Sequence, residues 1–156
     1  MLEHFDQRRY LIPFRSLLLP HIITDTLVIG GGVAGMRATI EASRHGDVIQ
    51  LVKQTIDVSN TAWAQGGVAV VYGDDDSLAS HAQDTFDAGA GLCDAAAVQT
   101  LVSEGPSCIE ELIEWGMRFD RNDDGSYVLS REGGHHHGRI LHSDGDATGR
   151  EMVRCL

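Results

Sequence analysis

The strongest restriction on the fold is a trio of closely spaced glycines, Gly30-x-Gly32-x-x-Gly35, set between an apolar tetrapeptide and a helix-compatible segment. Thr26-Leu27-Val28-Ile29 leads into it as a short continuous apolar run, the pattern of a buried parallel strand. The helical stretch after the glycines reaches about His45, Gly46 supplies a helix end, and Val48-Ile49-Gln50-Leu51-Val52 reads as a second strand. Strand, glycine turn, helix and strand within about thirty residues make one βαβ module. In such a module the first glycine permits the tight turn, the second lets backbone approach a pyrophosphate, and the third lets the helix close on the sheet. The exposed N–H groups and the dipole of the helix then hold the anion. The glycine pattern alone is a weak signal, but the strand before it and the helix after it supply the context it requires. The expected fold is α/β, a Rossmann-like dinucleotide-binding domain with a parallel sheet.

One position departs from the simple fingerprint. An acid at the end of the second strand normally binds the ribose hydroxyls. Here that place holds Lys53, and the next acid is Asp57. Either the ribose is held in another way, or the lysine reaches a ribose or phosphate oxygen. The plain alternative is a solvated lysine at a strand end.

Further along, Asn60-Thr61-Ala62-Trp63-Ala64-Gln65-Gly66-Gly67 forms a small-residue loop, and residues 68–72 are an apolar run of strand length. After a turn at residues 73–76, Ser77 is placed to cap a helix to about Ala88, and Asp94 to cap another up to Glu104. Gly105-Pro106 is expected to break the chain, with Pro106 in the first turn of a third helix. That helix carries Ile109, Leu112, Ile113 and Trp115 on one side and Gly116 at its C′ position. Residues 117–119 and 127–129 suggest a hairpin around Asn122-Asp123-Asp124-Gly125. A polar segment, residues 131–149, precedes a helix that opens at Thr148.

Two patterns invite metal readings and fit them poorly. Asp120-x-Asn122-x-Asp124-Gly125 opens like a calcium loop, but its twelfth position is Arg131, and Glu132 comes one residue late. His135, His136 and His137, with His142, resemble a ligand cluster, yet adjacent side chains on an extended segment point in alternate directions. No metal site is expected.

The 156 residues suit a single ordinary domain, and the charge of −11, with no basic run to offset it, argues against non-specific nucleic-acid binding. No apolar run has the length to span a bilayer. Arg8 and Arg9 precede a mildly apolar segment, but Pro13 and Arg15 interrupt it, so residues 1–24 read as an extension on a cytoplasmic protein rather than a signal peptide. Cys93, Cys108 and Cys155 are odd in number and widely spaced, as reduced, partly buried thiols would be. The last residues stop inside a helix without a terminating glycine, which suggests a truncated protein.

Three segments together go beyond generic chemistry: residues 30–35, residues 60–67, and Arg131-Glu132-Gly133-Gly134-His135 through Arg139-Ile140-Leu141-His142 to Asp146-Ala147-Thr148-Gly149-Arg150. In this order and spacing the chain resembles, from about Asp25 onward, the flavoprotein family of succinate dehydrogenase, fumarate reductase and L-aspartate oxidase. The resemblance implies that residues 25–156 are the N-terminal part of an FAD-binding domain, with a capping domain and a helical C-terminal domain absent. It places Gly30, Gly31, Gly32, Val33, Ala34 and Gly35 at the FAD pyrophosphate and Lys53 in contact with the cofactor. It makes Asn60, Thr61, Ala62, Trp63, Ala64, Gln65, Gly66 and Gly67 the segment that wraps the flavin, where small residues let backbone amides reach the ring edge and tune it.

Two positions distinguish branches of that family. Respiratory members hold the flavin covalently through a histidine near Asn60; asparagine offers no such nucleophile, so the resemblance implies non-covalent FAD. Arg-Glu-Gly-Gly-His is the aspartate oxidase form of the third segment, where dicarboxylate enzymes carry an apolar residue near Glu132. A carboxylate there attracts an α-ammonium by on the order of 4 kcal/mol at ~4 Å and an effective dielectric of ~20, before desolvation. The implied reaction is hydride transfer from L-aspartate to the flavin, giving iminoaspartate, with reoxidation by dioxygen or fumarate and delivery of the product to quinolinate synthase for NAD synthesis. The family's catalytic base lies beyond Leu156. Two rivals remain: a fumarate reductase or succinate dehydrogenase-like enzyme, and an inactive truncated FAD-binding fragment.

Overall fold

A computed structural model describes residues 16–156. Most of the expected N-terminal extension, including Arg8, Arg9, Pro13 and Arg15, lies outside the described residues. The glycine trio sits where the sequence places it. β1 (Thr26–Ile29) and β2 (Val48–Leu51) pair in parallel, Thr26 opposite Val48 and Ile29 opposite Leu51, and α1 (Val33–Ser43) crosses between them. Gly30 N–H donates to the Leu51 carbonyl at 2.9 Å, which carries the ladder one residue into the turn. Met36 is buried beneath α1, while Leu27, Ile29 and Leu51 leave part of the pair open to solvent. The two-sided burial implied by the apolar run is therefore not met among the described residues.

Beside this pair lies a small antiparallel sheet that the sequence did not reveal, in the order β3 (Val68–Ala69), β5 (Ile140–Leu141), β4 (Leu129–Ser130). Each strand is two residues long, too short for a period-two pattern. Only the first residues of the 68–72 run enter β3, and Val70 N–H continues the pairing to the Arg139 carbonyl at 2.9 Å. Val70, Ile109, Met117, Phe119 and Leu141 form the core under this sheet.

α2 (Leu78–Gly89) starts at the expected cap, with Ser80 N–H donating to Ser77 Oγ. α3 (Ala95–Glu114) opens on Asp94, whose carboxylate accepts from Ala97 N–H. The expected break at Gly105-Pro106 does not occur: α3 runs through both residues. A proline inside a helix costs about 3 kcal/mol, chiefly through its lost N–H bond and ring clash. Buried Val98 and Val102 before the proline and Ile109 after it anchor the two halves and offset that cost. A Cβ at Gly105 would meet Val70, just past β3, only at an ordinary contact of 3.6 Å, so the helix passes the sheet unbroken. Gly116, with φ of 94°, ends α3 as expected.

The hairpin is corrected as well. Its turn lies at residues 122–125, but the pairing is Arg121 with Tyr127, and Val128 N–H bonds to the Asp120 carbonyl. Met117 and Phe119 are core residues rather than strand, because Leu129 pairs with Leu141 instead. Asp120 is diverted too: its carboxylate accepts the N–H groups of Asp144 and Gly145, a tight turn with φ of 46° and 72°. Cys93, Cys108 and Cys155 are free thiols; Cys108 is exposed rather than partly buried, and burial pushes the Cys155 thiol up. α4 (Thr148–Cys155) closes the described fold.

A fully buried cation holds the 131–142 segment to α2. Arg139 donates from Nε and Nη2 to the two oxygens of Asp76, at 2.7 and 2.6 Å, and from Nη1 to Asp84 at 2.7 Å. Ser80 Oγ accepts a further bond at 3.2 Å. The planar guanidinium fork suits two carboxylates better than an ammonium would. Asp84 also accepts the His136 backbone N–H at 2.9 Å and faces its ring Nδ1. The His136 N–H and ring hold the Asp84 carboxyl well below the usual carboxylate range; desolvation opposes them and Arg139 adds to them. Burial works to raise the Asp76 carboxyl, but the bonds from Arg139 and from Ser77 N–H outweigh it and lower it.

Removing Arg139 strands two buried carboxylates. Arg139→Met should lower stability by about 3–5 kcal/mol, read from the urea midpoint at neutral pH. Because both carboxyls are lowered in the folded chain, their contribution is fully present above ~pH 4 and is lost as pH falls through their folded values. Acid unfolding of the unmodified chain should steepen below that point, and Arg139→Met should remove the steep limb.

Candidate functional site

The three segments singled out in the sequence converge. At the glycine turn, a Cβ at Gly35 would lie 2.2 Å from the Gly30 carbonyl oxygen, so only glycine allows α1 to sit this close to β1. Gly30 itself has φ of 128°. Gly31 presses on the Val52 side chain, where a Cβ would meet Cγ1 at 2.7 Å. Gly32 is the N-cap of α1 and makes no side-chain cap bond, which leaves an open helix N-terminus of the kind that takes phosphate. Val33 N–H is already used, donating to Thr61 Oγ1 at 3.0 Å. That bond brings residues 60–67 onto the turn.

The 60–67 segment begins as a helical turn: Ala62 N–H donates to Ser59 Oγ and Trp63 N–H to the Ser59 carbonyl. Asn60, Trp63, Ala64, Gln65 and Gly66 are exposed, and Ala62 is half-buried. The start of α4 packs on it from the other side. Gly149 N–H donates to the Ala64 carbonyl at 3.1 Å, and a Cβ at Gly149 would lie 1.8 Å from the Thr61 carbonyl oxygen. A cavity of about 310 Å³ lies at this junction, lined by Val33, Asn60, Thr61, Gly66, Gly67 and Gly149 among others. The open N-terminus of α1, the side-chain-free approach at Gly31 and Gly32, and the exposed backbone of residues 64–66 fit a bound dinucleotide. Lys53 is exposed just past the end of β2.

Glu132 sits in the loop before β5 and is half exposed, with Oε1 3.1 Å from His142 Nε2. The arginines nearest to it in the sequence are not its partners: no ion pair joins it to Arg131, and Arg139 is turned inward to Asp76 and Asp84. His142 in turn lies against residue 67, where a Cβ would be 2.9 Å from its Cε1. The other histidines separate, with His136 at Asp84, His137 Nδ1 4.0 Å from Asp75, and His135 beside His81 at 5.8 Å between ring centroids. Among the described residues no group of three or more His, Cys, Asp or Glu gathers as a metal-ligand set.

Sequence reasoning missed Gly149 and His142 as structural members of this site. Both stand in the third segment, but neither had a role of its own there: Gly149 is a lone glycine within a Thr-Gly-Arg helix start, and His142 otherwise joined only the histidine cluster, which suggests a metal ligand.

The chain belongs to the FAD binding domain family, which matches residues 25–156. Its cofactor is FAD, bound by a domain of the type found in the succinate dehydrogenase and fumarate reductase flavoproteins. Among curated proteins it is similar to the L-aspartate oxidase of Streptomyces coelicolor, 46% identical over 86% of this chain and 23% of that protein. It is likewise similar to the chloroplastic L-aspartate oxidase of Oryza sativa, 50% identical over 85% of this chain and 20% of that protein. Among solved structures, the Mycobacterium smegmatis Sdh1 complex superimposes with a TM-score of 0.78 at 35% identity, over 85% of this chain and 23% of that one. An E. coli quinol fumarate reductase gives the same TM-score at 32% identity, over 85% of this chain and 23% of that one. The chain thus spans about a quarter or less of the length of these relatives. No helix among the described residues is long and apolar enough to cross a membrane.

The packing of α4 on the 60–67 segment can be tested at one atom. Gly149→Ala should lower stability by about 1–3 kcal/mol, since backbone rather than a flexible side chain must yield. Gly66→Ala, with nothing within 4 Å of the added Cβ, should change the urea midpoint little.

Proposed function

We propose that this chain is the cofactor-binding front portion of an L-aspartate oxidase, which converts L-aspartate to iminoaspartate. The observation that carries the reading is Glu132, a half-exposed carboxylate joined through His142 to Gly67 in the segment assigned to the flavin. Identity supports the same branch: 45–50% to aspartate oxidases against 32–35% to the respiratory flavoproteins of known structure.

In this reading Gly30, Gly31, Gly32, Val33, Ala34 and Gly35 form the turn around the pyrophosphate; the Gly30 and Val33 N–H groups bond to Leu51 and Thr61, so those of Gly31, Gly32, Ala34 and Gly35 serve as donors, and Lys53 serves the cofactor in place of the usual acid. Residues 60–67 present small side chains and backbone donors to the flavin edge. When bound, the flavin supplies a two-electron acceptor for the hydride of the aspartate α-carbon. Glu132 accepts hydrogen bonds from the α-ammonium, so the α-carbon is oriented and a plain dicarboxylate such as succinate is disfavoured. Asn60, with no nucleophilic ring nitrogen, leaves the cofactor bound without a covalent link. Dioxygen or fumarate as final acceptor, transfer of iminoaspartate to quinolinate synthase, and a cytoplasmic site of action complete the proposal. The relatives in Oryza sativa and Nicotiana tabacum carry chloroplastic in their names.

Two outcomes are expected of an oxidase holoenzyme containing these residues. Acid denaturation followed by filtration should release all the flavin into the filtrate; flavin retained by the polypeptide would contradict the role given to Asn60. Glu132→Gln keeps shape but removes the charge, a contact worth ~1.5–3 kcal/mol, so kcat/KM for aspartate should fall ten- to over a hundredfold. Affinity for succinate should hold or rise. Equal losses for both ligands would return Glu132 to the role of a solvated loop residue.

A further inference from the structure

His142 is held on three sides. Its Nδ1 lies 3.1 Å from the Gly145 carbonyl oxygen, and its Nε2 lies 3.0 Å from Ser130 Oγ and 3.1 Å from Glu132 Oε1. A Cβ at Gly67 would come 2.9 Å from the ring carbon between them, Cε1, and nearer still to Ile140 Cγ2 and the Leu141 carbonyl oxygen, so the ring stands against a residue with no room for a side chain. The histidine side chain is 19% exposed and the glutamate side chain 51%, so the ring is the anchored partner and the carboxylate the more solvated one. Carbonyl and carboxylate oxygens only accept, so in these two contacts the ring nitrogens are the donors. The Gly145 carbonyl that fixes one end belongs to the turn clasped by Asp120.

A half-exposed glutamate has three rotatable bonds, and without a fixed partner it samples many rotamers before it meets a ligand. A ring wedged against residue 67 limits that freedom and aims the carboxylate at one place relative to the flavin segment. We infer that His142 is the positioning residue for Glu132, and that it sets how well the site selects an α-ammonium substrate. The inference rests on the reading of Glu132 as the ammonium acceptor. His142 touches neither substrate nor cofactor in this scheme and acts only through Glu132.

The test is made in an oxidase holoenzyme containing these residues. His142→Asn keeps a donor near Gly145 but does not reach Glu132, whereas His142→Gln places an amide where Nε2 stood. His142→Asn should lower kcat/KM for aspartate about tenfold, and His142→Gln should recover most of it. The FAD dissociation constant should stay within about twofold in both, since neither contacts the cofactor. Adding His142→Asn to Glu132→Gln should cost nothing further, because the residue that it positions is already disabled. A harmless His142→Asn beside a damaging Glu132→Gln overturns the positioning role alone. Additive losses, loss of FAD, or a glutamine no better than asparagine overturn it as well. A harmless Glu132→Gln instead overturns the reading of Glu132 itself. Should His142→Asn fail to fold, His142→Ala carries the same cycle.

Discussion

Arg139, with no exposed surface and four hydrogen bonds to Asp76, Asp84 and Ser80, is the interaction on which the rest of the site depends. A buried guanidinium is tolerated only if its charge and donors are matched, and here Asp76, just before α2, and Asp84, within it, match them. Asp84 Oδ2, which accepts from Arg139, also accepts the backbone N–H of His136. The result is that the stretch from Glu132 to Arg139, which has no regular structure of its own, is fixed at both a side chain and a main-chain atom. β5 comes directly after it, and with it His142, so the ionic cluster determines where the proposed substrate contact stands.

The cofactor side is organised by a different means, the absence of side chains. Gly35 against Gly30, Gly149 against Thr61 and Gly67 against His142 are each approaches that a methyl group would prevent. They draw α1, the 60–67 segment, β5 and α4 together, so that backbone rather than side chains lines the junction. Thr61 adds a directional bond, from Val33 N–H, that ties the wrapping segment to the phosphate turn, as the Gly149 N–H to Ala64 bond ties it to α4.

The βαβ unit, the start of α2 and both ends of α3 were legible in the sequence because their signals are local: an apolar run and glycines at fixed offsets in the first, caps at Ser77, Asp94 and Gly116 in the others. The break expected at Pro106 failed because burial of Val98, Val102 and Ile109 is a tertiary effect that no window of sequence reports. The β3-β5-β4 sheet was illegible for the opposite reason, since its two-residue strands carry no period. Within the site, the glycine turn and the 60–67 loop were readable from residue size alone. The partner of Glu132 was not: Arg131 and Arg139 are the arginines nearest to it in the sequence, but the buried acids Asp76 and Asp84 take Arg139, and the ion pair forms with His142.

The ties between α2 and the 131–142 segment also govern the order in which the site can be assembled. His136 and Arg139 reach partners 52 to 63 residues earlier in the chain. Closing loops of that length costs entropy before any bond repays it, and contacts so distant in sequence form slowly. During synthesis at about 5–20 residues per second, the βαβ unit can collapse while the ribosome is still several seconds short of Arg139. Until then Asp76 and Asp84 are carboxylates without their cation, and the loop carrying Glu132 has nowhere to dock. The phosphate turn can therefore form before the substrate contact does, whereas its junction with the 60–67 segment waits for Gly149 and α4.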